Sequence, residues 1–405
     1  MRKVVFVAPF FLETTLRFVR AAALPGVRLG LVSQQPLEQL PAAVRRRLAA
    51  HWRVDNALDA EQLVGAVRGL GRQLGGVDRL LGVLEHLQVP LAEVREALSL
   101  PGVGVAVAEN FRDKNRMKTV LAEAGLPCAR HRLVESAEAA RDFARRTGFP
   151  LVAKPPAGAG ATGTFRADDD AALEQVLGLC RPSPARPLLL EQFLVGREYS
   201  FDSVVIAGQP VWHSISRYLP TPLEALRNPW IQWCVLLPRE IEGPEFADIR
   251  EVAFGALQAL GLETGLSHME WFRLGDGRVA VSEVGARPPG AQITPLTSYA
   301  HDFDLYRAWA RLMIFDEFEP PVRRFAAGAA FLRGQGRGRV HRIVGLEQLQ
   351  QELGPLVVES HLPRPGQAPS TSYEGEGFVI VRHRRTEVVE RALHRIVSTL
   401  RVELK

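Results

Sequence analysis

Apolar residues in the first 108 positions come in short unbroken runs separated by stretches of helical period. KVVFVAPF, VRLGLVS, RLLGVLE and GVGVAVA are rich in Val, Leu and Ala and read as strands buried on both faces. Between them, residues 37–51 and 59–74 carry the spacing of amphipathic helices. Strands alternating with helices predict a small parallel α/β unit of about four strands. The turn after the first run, APFFLETT, lacks the glycines of a dinucleotide-binding loop, so that reading fails.

Beyond residue 109 the pattern changes. Residues 113–125 predict a helix capped by Asp113, with an apolar stripe of Met117, Val120, Leu121 and Ala124, ended by Gly125 and Pro127. Residues 149–206 read as successive strands around one helix, DDDAALEQVLGLC. Residues 245–262 form an amphipathic helix and 265–284 a hairpin. DEFEPPVRR reads as a linker. After it, residues 326–405 form an α+β module with strands AAGAAFLRG and GFVIVRH, a loop over 361–377 and a terminal helix over 385–400.

Composition narrows the class. The chain has 405 residues, 46% of them hydrophobic and 23% charged, with a net charge of +5. These values suit a globular protein of two or three domains. No run is long enough to span a membrane, and an acidic residue arrives too early for a signal peptide. Three scattered cysteines, Cys128, Cys180 and Cys234, exclude a disulfide framework and point to a cytoplasmic protein. The arginines are dispersed along the chain, which argues against nucleic acid as a partner. Only five of the 50 basic residues are lysines: Lys3, Lys114, Lys118, Lys154 and Lys405. In a chain that uses Arg for solvated cations, an internal Lys suggests a compact charge placed against a phosphate.

Gly158, Gly160 and Gly163 in KPPAGAGATGTF fit the spacing GxGxxG. A second strand follows them instead of a helix, so they describe a flap whose N–H groups cover phosphates. Lys154 ends the strand entering that flap. In the hairpin, a two-residue turn at Asp276-Gly277 pairs residue 275 with 278 and places Glu270 directly opposite Glu283. Like charges so close are destabilising unless a cation sits between them; hard oxygen ligands suit Mg²⁺, and the alternative is a solvated hairpin with a salt bridge to Arg273 or Arg278. Arg287 follows, where it can hold a γ-phosphate or a carboxylate. His268 shares the face of Glu270. In LLLEQFLVGREYSFD, Glu191 and Glu198 read by default as exposed surface carboxylates, and functionally as part of a hinge whose backbone reads adenine while the acidic side chains take ribose hydroxyls. Tyr218, Trp230 and Trp233 suit packing or a substrate lid equally. Glu85 ends a strand on the side where α/β sheets bind ligands, which suits a contact to a substrate amine, though a solvated strand-end Glu is the more ordinary reading.

In this order the residues resemble the ATP-grasp superfamily over roughly residues 109–320. Asp113-Lys114 resembles the family's helix start, and Lys154 with Gly158–Gly163 its phosphate Lys and loop. Glu191, Gln192, Phe193, Leu194 and Glu198 resemble the adenine hinge and ribose contact. Glu270, Glu283 and Arg287 resemble the metal pair and phosphate Arg. The family's E-x-N-x-R stands here as Glu283-Val284-Gly285-Ala286-Arg287, which removes one usual metal ligand. The C-terminal module is similar to the closing domain of biotin carboxylases and L-amino-acid ligases. The fold implied is α/β and α+β in three parts: a parallel N-terminal domain over 1–108, a core of two subdomains clasping ATP over 109–320, and a C-terminal domain over 321–405.

The resemblance implies an ATP-dependent ligase joining a carboxylate, an amino acid, to an amine through an acyl phosphate. Its cofactors are ATP and one or two Mg²⁺, or Mn²⁺ in their place. Arg287 and His268 are its catalytic residues, and a homodimer is compatible with it. The rival readings are a biotin-carboxylase-like enzyme and an ATP-binding regulatory module.

Overall fold

The computed structural model describes residues 1–158, 163–228, 231–372 and 374–405. The N-terminal strands β1 (Arg2–Val7), β2 (Val27–Ser33), β3 (Ala50–Arg53) and β4 (Arg79–Leu81) form a wholly parallel sheet in the order β3-β2-β1-β4. Alternate residues of β1 feed two cores. Val5 and Val7 pack on one side and Val4 and Phe6 on the other, as period-two geometry requires.

Two expectations fail in this region. The run GVGVAVA is no strand, because residues Val105–Arg112 form a helix that buries Ala108 and Phe111. The fourth strand is β3, which begins within the last residues of the stretch expected to be helical and runs past its end. There Pro36 and Pro41 limit the helices to Leu37–Gln39 and Ala42–Arg45. The sheet is joined to the rest of the molecule by the helix Leu305–Phe315, whose Trp309 meets Phe6 edge-on at 6.1 Å between ring centres.

A second, antiparallel sheet runs β5-β8-β6-β7, from His131–Val134, Leu188–Gln192, Leu151–Lys154 and Phe165–Ala167. The largest sheet has eight strands. In chain order they are β9 (Gly196–Ile206), β10 (Gln209–Leu219), β11 (Trp233–Leu237), β12 (Gly265–Leu274), β13 (Val279–Gly285), β14 (Ala326–Leu332), β17 (Val357–His361) and β18 (Gly377–His383). Their spatial order is β13-β12-β9-β10-β11-β14-β18-β17. The expected boundary near residue 320 therefore does not interrupt the sheet. A small sheet of β15 (Gly334–Gly336), β16 (Val340–Val344) and β19 (Arg401–Leu404) lies beside it.

Register sets the character of each face of the large sheet. Glu198 lies opposite Phe272, Ser200 opposite Glu270 and Asp202 opposite His268. Glu270 also faces Glu283, and His268 faces Gly285. These residues share one side, which makes it polar across three strands. Farther along, the same side turns apolar. Tyr218, Val235, Ala329 and Ile380 follow one another in register, and the helix Ile293–His301 covers them. At that helix's end His301 bonds the Thr297 carbonyl through Nδ1 at 2.8 Å, in a pocket beside Trp212. On the sheet's other side, Phe201, Met269, Trp271 and Val281 pack against the helix Ala247–Leu260.

The hairpin turn differs from expectation, yet the pairing it was meant to set survives. The loop holds three residues, closed by the Leu274 N–H donating to the Arg278 carbonyl at 2.8 Å, with Gly277 at φ +86°. A bulge at Ser282 then shifts the register by one residue and restores Glu270 to its place opposite Glu283.

Candidate active site

The helix Lys114–Glu123 supplies the first cations. Asp113 caps it, its Oδ1 accepting from the N–H groups of Asn115 at 2.8 Å and Arg116 at 2.9 Å. Its buried stripe is Lys114, Met117, Lys118 and Leu121, so the buried face is rotated from the expected one, with two lysines in it and Val120 and Ala124 outside it. The helix covers the free edge of β13. The Val284 N–H meets Met117 Sδ at 3.2 Å, and the carbonyl of bulged Ser282 accepts from Lys118 Nζ at 2.8 Å.

Lys114 Nζ lies 2.8 Å from Glu283 Oε1 and donates to the Gly158 carbonyl at 3.1 Å. Arg112 donates to that same carbonyl at 2.9 Å. The entrance of the flap is thus tied to the start of the helix. Gly158 and Gly163 flank the flap, and Gly160 lies outside the described residues.

Lys154, at the end of β6, and Lys118 grip the two oxygens of Glu191 from 2.9 Å and 3.5 Å. Burial works against the Glu191 charge, but the two lysines overcome it and hold the carboxyl below its usual range. The carboxylate expected at a ribose is therefore turned toward the lysines. Glu198 is different. It is buried without an ion pair among the described residues, and burial together with Glu270 and Glu283 pushes its carboxyl well up. Gln192, Phe193 and Leu194 line the cavity, and Arg166 lies 4.2 Å over the Phe193 ring.

Glu270 and Glu283 also diverge. Burial and the neighbouring Glu283 raise Glu270, whereas Lys114 and Lys154 outweigh burial at Glu283 and hold it at about 2. The pair has one well-compensated carboxylate and one that, among the described residues, has no Lys or Arg in an ion pair with it. His268 Nε2 is 4.0 Å from Glu270, and its Nδ1 is 2.7 Å from Asp202. Asp202 was missed in the sequence, although its signal was there: Glu198, Ser200 and Asp202 alternate along β9 with buried aromatics. Lys118 was legible too, one helical turn beyond Lys114.

Arg287 follows β13 and meets Glu85, which sits just past β4 in the N-terminal sheet, at 2.5 Å. Burial opposes the Arg287 charge, but Glu85, ahead of Glu283 and Glu270, raises its pKa. Lys114, Lys154, Glu191, Glu198, His268, Glu270, Glu283 and Arg287 line one cleft of about 630 Å³.

At its other end the cleft is walled by Tyr218, Trp233 and the segment Thr221–Asn228. Trp233 is fully buried, stacks on Phe331 at 4.7 Å and donates Nε1–H to the Pro220 carbonyl, which makes it packing. Trp230 lies outside the described residues. Arg333 was not singled out in the sequence. Its Nη1 donates to the carbonyls of Ala225, Asn228 and Ile231 at 2.6, 3.1 and 2.8 Å and pins that wall. Among the described residues no helix is long and apolar enough to cross a membrane.

Residues 119–292 match the model of the ATP-grasp domain. Over 324 residues the chain is 22% identical to an L-arginine-specific L-amino acid ligase of Bacillus subtilis, covering 77% of each chain. It superposes on an L-amino acid ligase from Bacillus licheniformis with a TM-score of 0.81 and 21% identity, over 100% of this chain and 99% of that one. N5-carboxyaminoimidazole synthetase from Staphylococcus aureus, complexed with ADP, gives a TM-score of 0.73 at 13% identity, over 98% and 97%. These two structural likenesses show the fold.

Proposed function

Because this chain is an ATP-grasp enzyme of the carboxylate–amine ligase type, we propose that it activates an amino acid's carboxylate as an acyl phosphate and passes the acyl group to an amine, releasing ADP and phosphate. The observation that carries this reading is the meeting of Lys114, Lys154 and Arg287 with Glu270 and Glu283 around one cleft.

The polypeptide's part is to position reactants and balance charge. Lys154 and Lys114 face the nucleotide phosphates. The hinge of Gln192, Phe193 and Leu194 takes the base, and Glu198 takes the sugar. Arg287 steadies the transferring phosphoryl group and the attacking carboxylate. In this reading the glycine-rich sequence bounded by Gly158 and Gly163 serves to keep water from the acyl phosphate. His268, held by Asp202, faces the place where the incoming amine loses its proton.

Glu270 and Glu283 fit Mg²⁺, since they are opposed carboxylates on one face and Glu270 pairs with no Lys or Arg among the described residues. No group of three or more His, Cys, Asp or Glu is assembled among the described residues. Glu270 and Glu283 would hold Mg²⁺, which would supply neutralisation of phosphate charge. Three parts, 1–108, 109–320 and 321–405, belong to this reading, the last continuing the core's own sheet.

The test is an isotope transfer. With ATP, Mg²⁺, hydroxylamine and a carboxylate labelled with heavy oxygen, one label should enter the released phosphate as the hydroxamate forms. AMP and pyrophosphate as products, or phosphate release dependent on bicarbonate and biotin, would overturn the proposal.

A further inference from the structure

A second cavity, of about 610 Å³, lies where the N-terminal domain, the helices Ile293–His301 and Leu305–Phe315 and strand β17 meet. It shares no lining residue with the cleft. Four arginines line it. Arg17 and Arg20 come from the helix Glu13–Ala22, Arg47 follows the short helix Ala42–Arg45, and Arg307 stands in the first turn of Leu305–Phe315.

Only two carboxylates line the same space, Asp304 and Glu359. Glu359 is spent on both oxygens: Oε1 pairs with Arg17 Nη2 at 2.7 Å, and Oε2 accepts from the Tyr299 hydroxyl at 3.0 Å. Asp304 caps its helix, Oδ1 accepting from the Arg307 N–H at 3.1 Å. Arg20 is held by Glu13. Arg47 reaches no more than the Arg20 carbonyl, at 3.5 Å, and the Arg307 guanidinium bonds nothing among the described residues. Two guanidinium groups therefore border one cavity with no carboxylate to answer them there. Leu24, Pro25 and Phe303 give the same cavity an apolar wall.

Two unanswered cations beside an apolar wall match a dianion carried on an apolar body. A phosphate monoester has a charge of about −1.5 to −2 near neutral pH, and the guanidinium fork pairs with its oxygens two at a time. A monocarboxylate answers one arginine and leaves the other unpaired. Inorganic phosphate answers both but leaves the apolar wall wet. We propose that this cavity is a second small-molecule site, separate from the cleft, which takes a phosphate monoester with its phosphate on Arg47 and Arg307 and its body against Leu24, Pro25 and Phe303. This assignment does not depend on the ligase reading.

The experiment is calorimetry on the full chain at one ionic strength, with phenyl phosphate, inorganic phosphate, benzoate and benzyl alcohol as probes. Phenyl phosphate should bind saturably, one per chain, and more tightly than the other three. Arg47→Gln and Arg307→Gln, both at exposed positions, should each weaken it about 10- to 100-fold, the worth of a hydrogen bond to a charged group. Saturating ADP with Mg²⁺, which fills the cleft, should leave the affinity unchanged. Displacement by ADP together with indifference to both arginine variants would put the probe in the cleft and overturn the proposal. No saturable binding of phenyl phosphate would overturn it too, as would equal binding of benzyl alcohol, which needs no arginine. Sedimentation of the same variants supplies the last arm: a dimer that dissociates in Arg47→Gln and Arg307→Gln and binds no ester would give this face to a second copy of the chain and overturn the proposal.

Discussion

Lys118 and Glu191 face each other at 3.5 Å beneath the cleft, the lysine fully shut from solvent, and the glutamate's other oxygen holds Lys154. Burial pulls the Lys118 ammonium below its usual range in spite of Glu191, so its charge depends on its partners. Removing one member of such a pair costs about 3–5 kcal/mol. Lys118→Met keeps the volume and should lower the urea midpoint of the ATP-free protein by a corresponding amount. An unchanged midpoint would remove the structural role assigned to this lysine.

Lys154 behaves differently, because it stands where a phosphate arrives. Lys154→Ala should abolish the rise in melting temperature that ATP and Mg²⁺ confer, and Lys154→Arg should restore little of it, the planar fork being too bulky for the space. Full ATP stabilisation of Lys154→Ala in a melting assay would contradict the assignment.

The two opposed glutamates should part company when each is made neutral. Glu270→Gln removes repulsion from a carboxylate that pairs with no Lys or Arg among the described residues, so metal-free protein should hold its stability or gain slightly. Glu283→Gln takes the partner from Lys114 and should destabilise it. Both should lower Mg²⁺-dependent turnover by orders of magnitude. Calorimetric melting in chelator, set beside initial rates in Mg²⁺, gives both readouts. Equal melting temperatures for the two variants would mean the Lys114 contact does not matter.

Acid stability should report His301. Burial, then Arg323, lowers its pKa from 6.5 to about 3. The unfolded chain takes up this proton first as pH falls. The residue's stabilisation is therefore complete above about pH 6.5 and is lost toward pH 3, at about 1.4 kcal/mol per pH unit. His301→Gln should flatten that part of the curve of unfolding free energy against pH. An identical slope in the variant would assign the loss to other groups.

Much of the site was legible because local geometry carries it. A cap places Lys114, a strand end Lys154, and a hairpin Glu270, Glu283 and Arg287, with no knowledge of distant contacts. The hairpin came out right through two departures that cancel, a longer turn and a bulge at Ser282. GVGVAVA was misread because a short apolar run satisfies strand and helix alike, and tertiary burial of Ala108 and Phe111 decided it. The direction of the Glu191 carboxylate depends on Lys118, which the expected stripe had passed over. The Glu85–Arg287 pair joins two sheets, and no local pattern announces it.

The uninterrupted eight-stranded sheet has a consequence for inheritance. A chain ended at residue 320 would lose β14, β18 and β17 and leave β11, buried along its whole length, as a bare edge. An apolar strand with unpaired N–H and C=O groups recruits other chains. The last 85 residues therefore cannot be exchanged like a cassette without poisoning the solubility of what remains. Gene fusions or swaps involving this protein should break before β9 or after β19, and seldom in between.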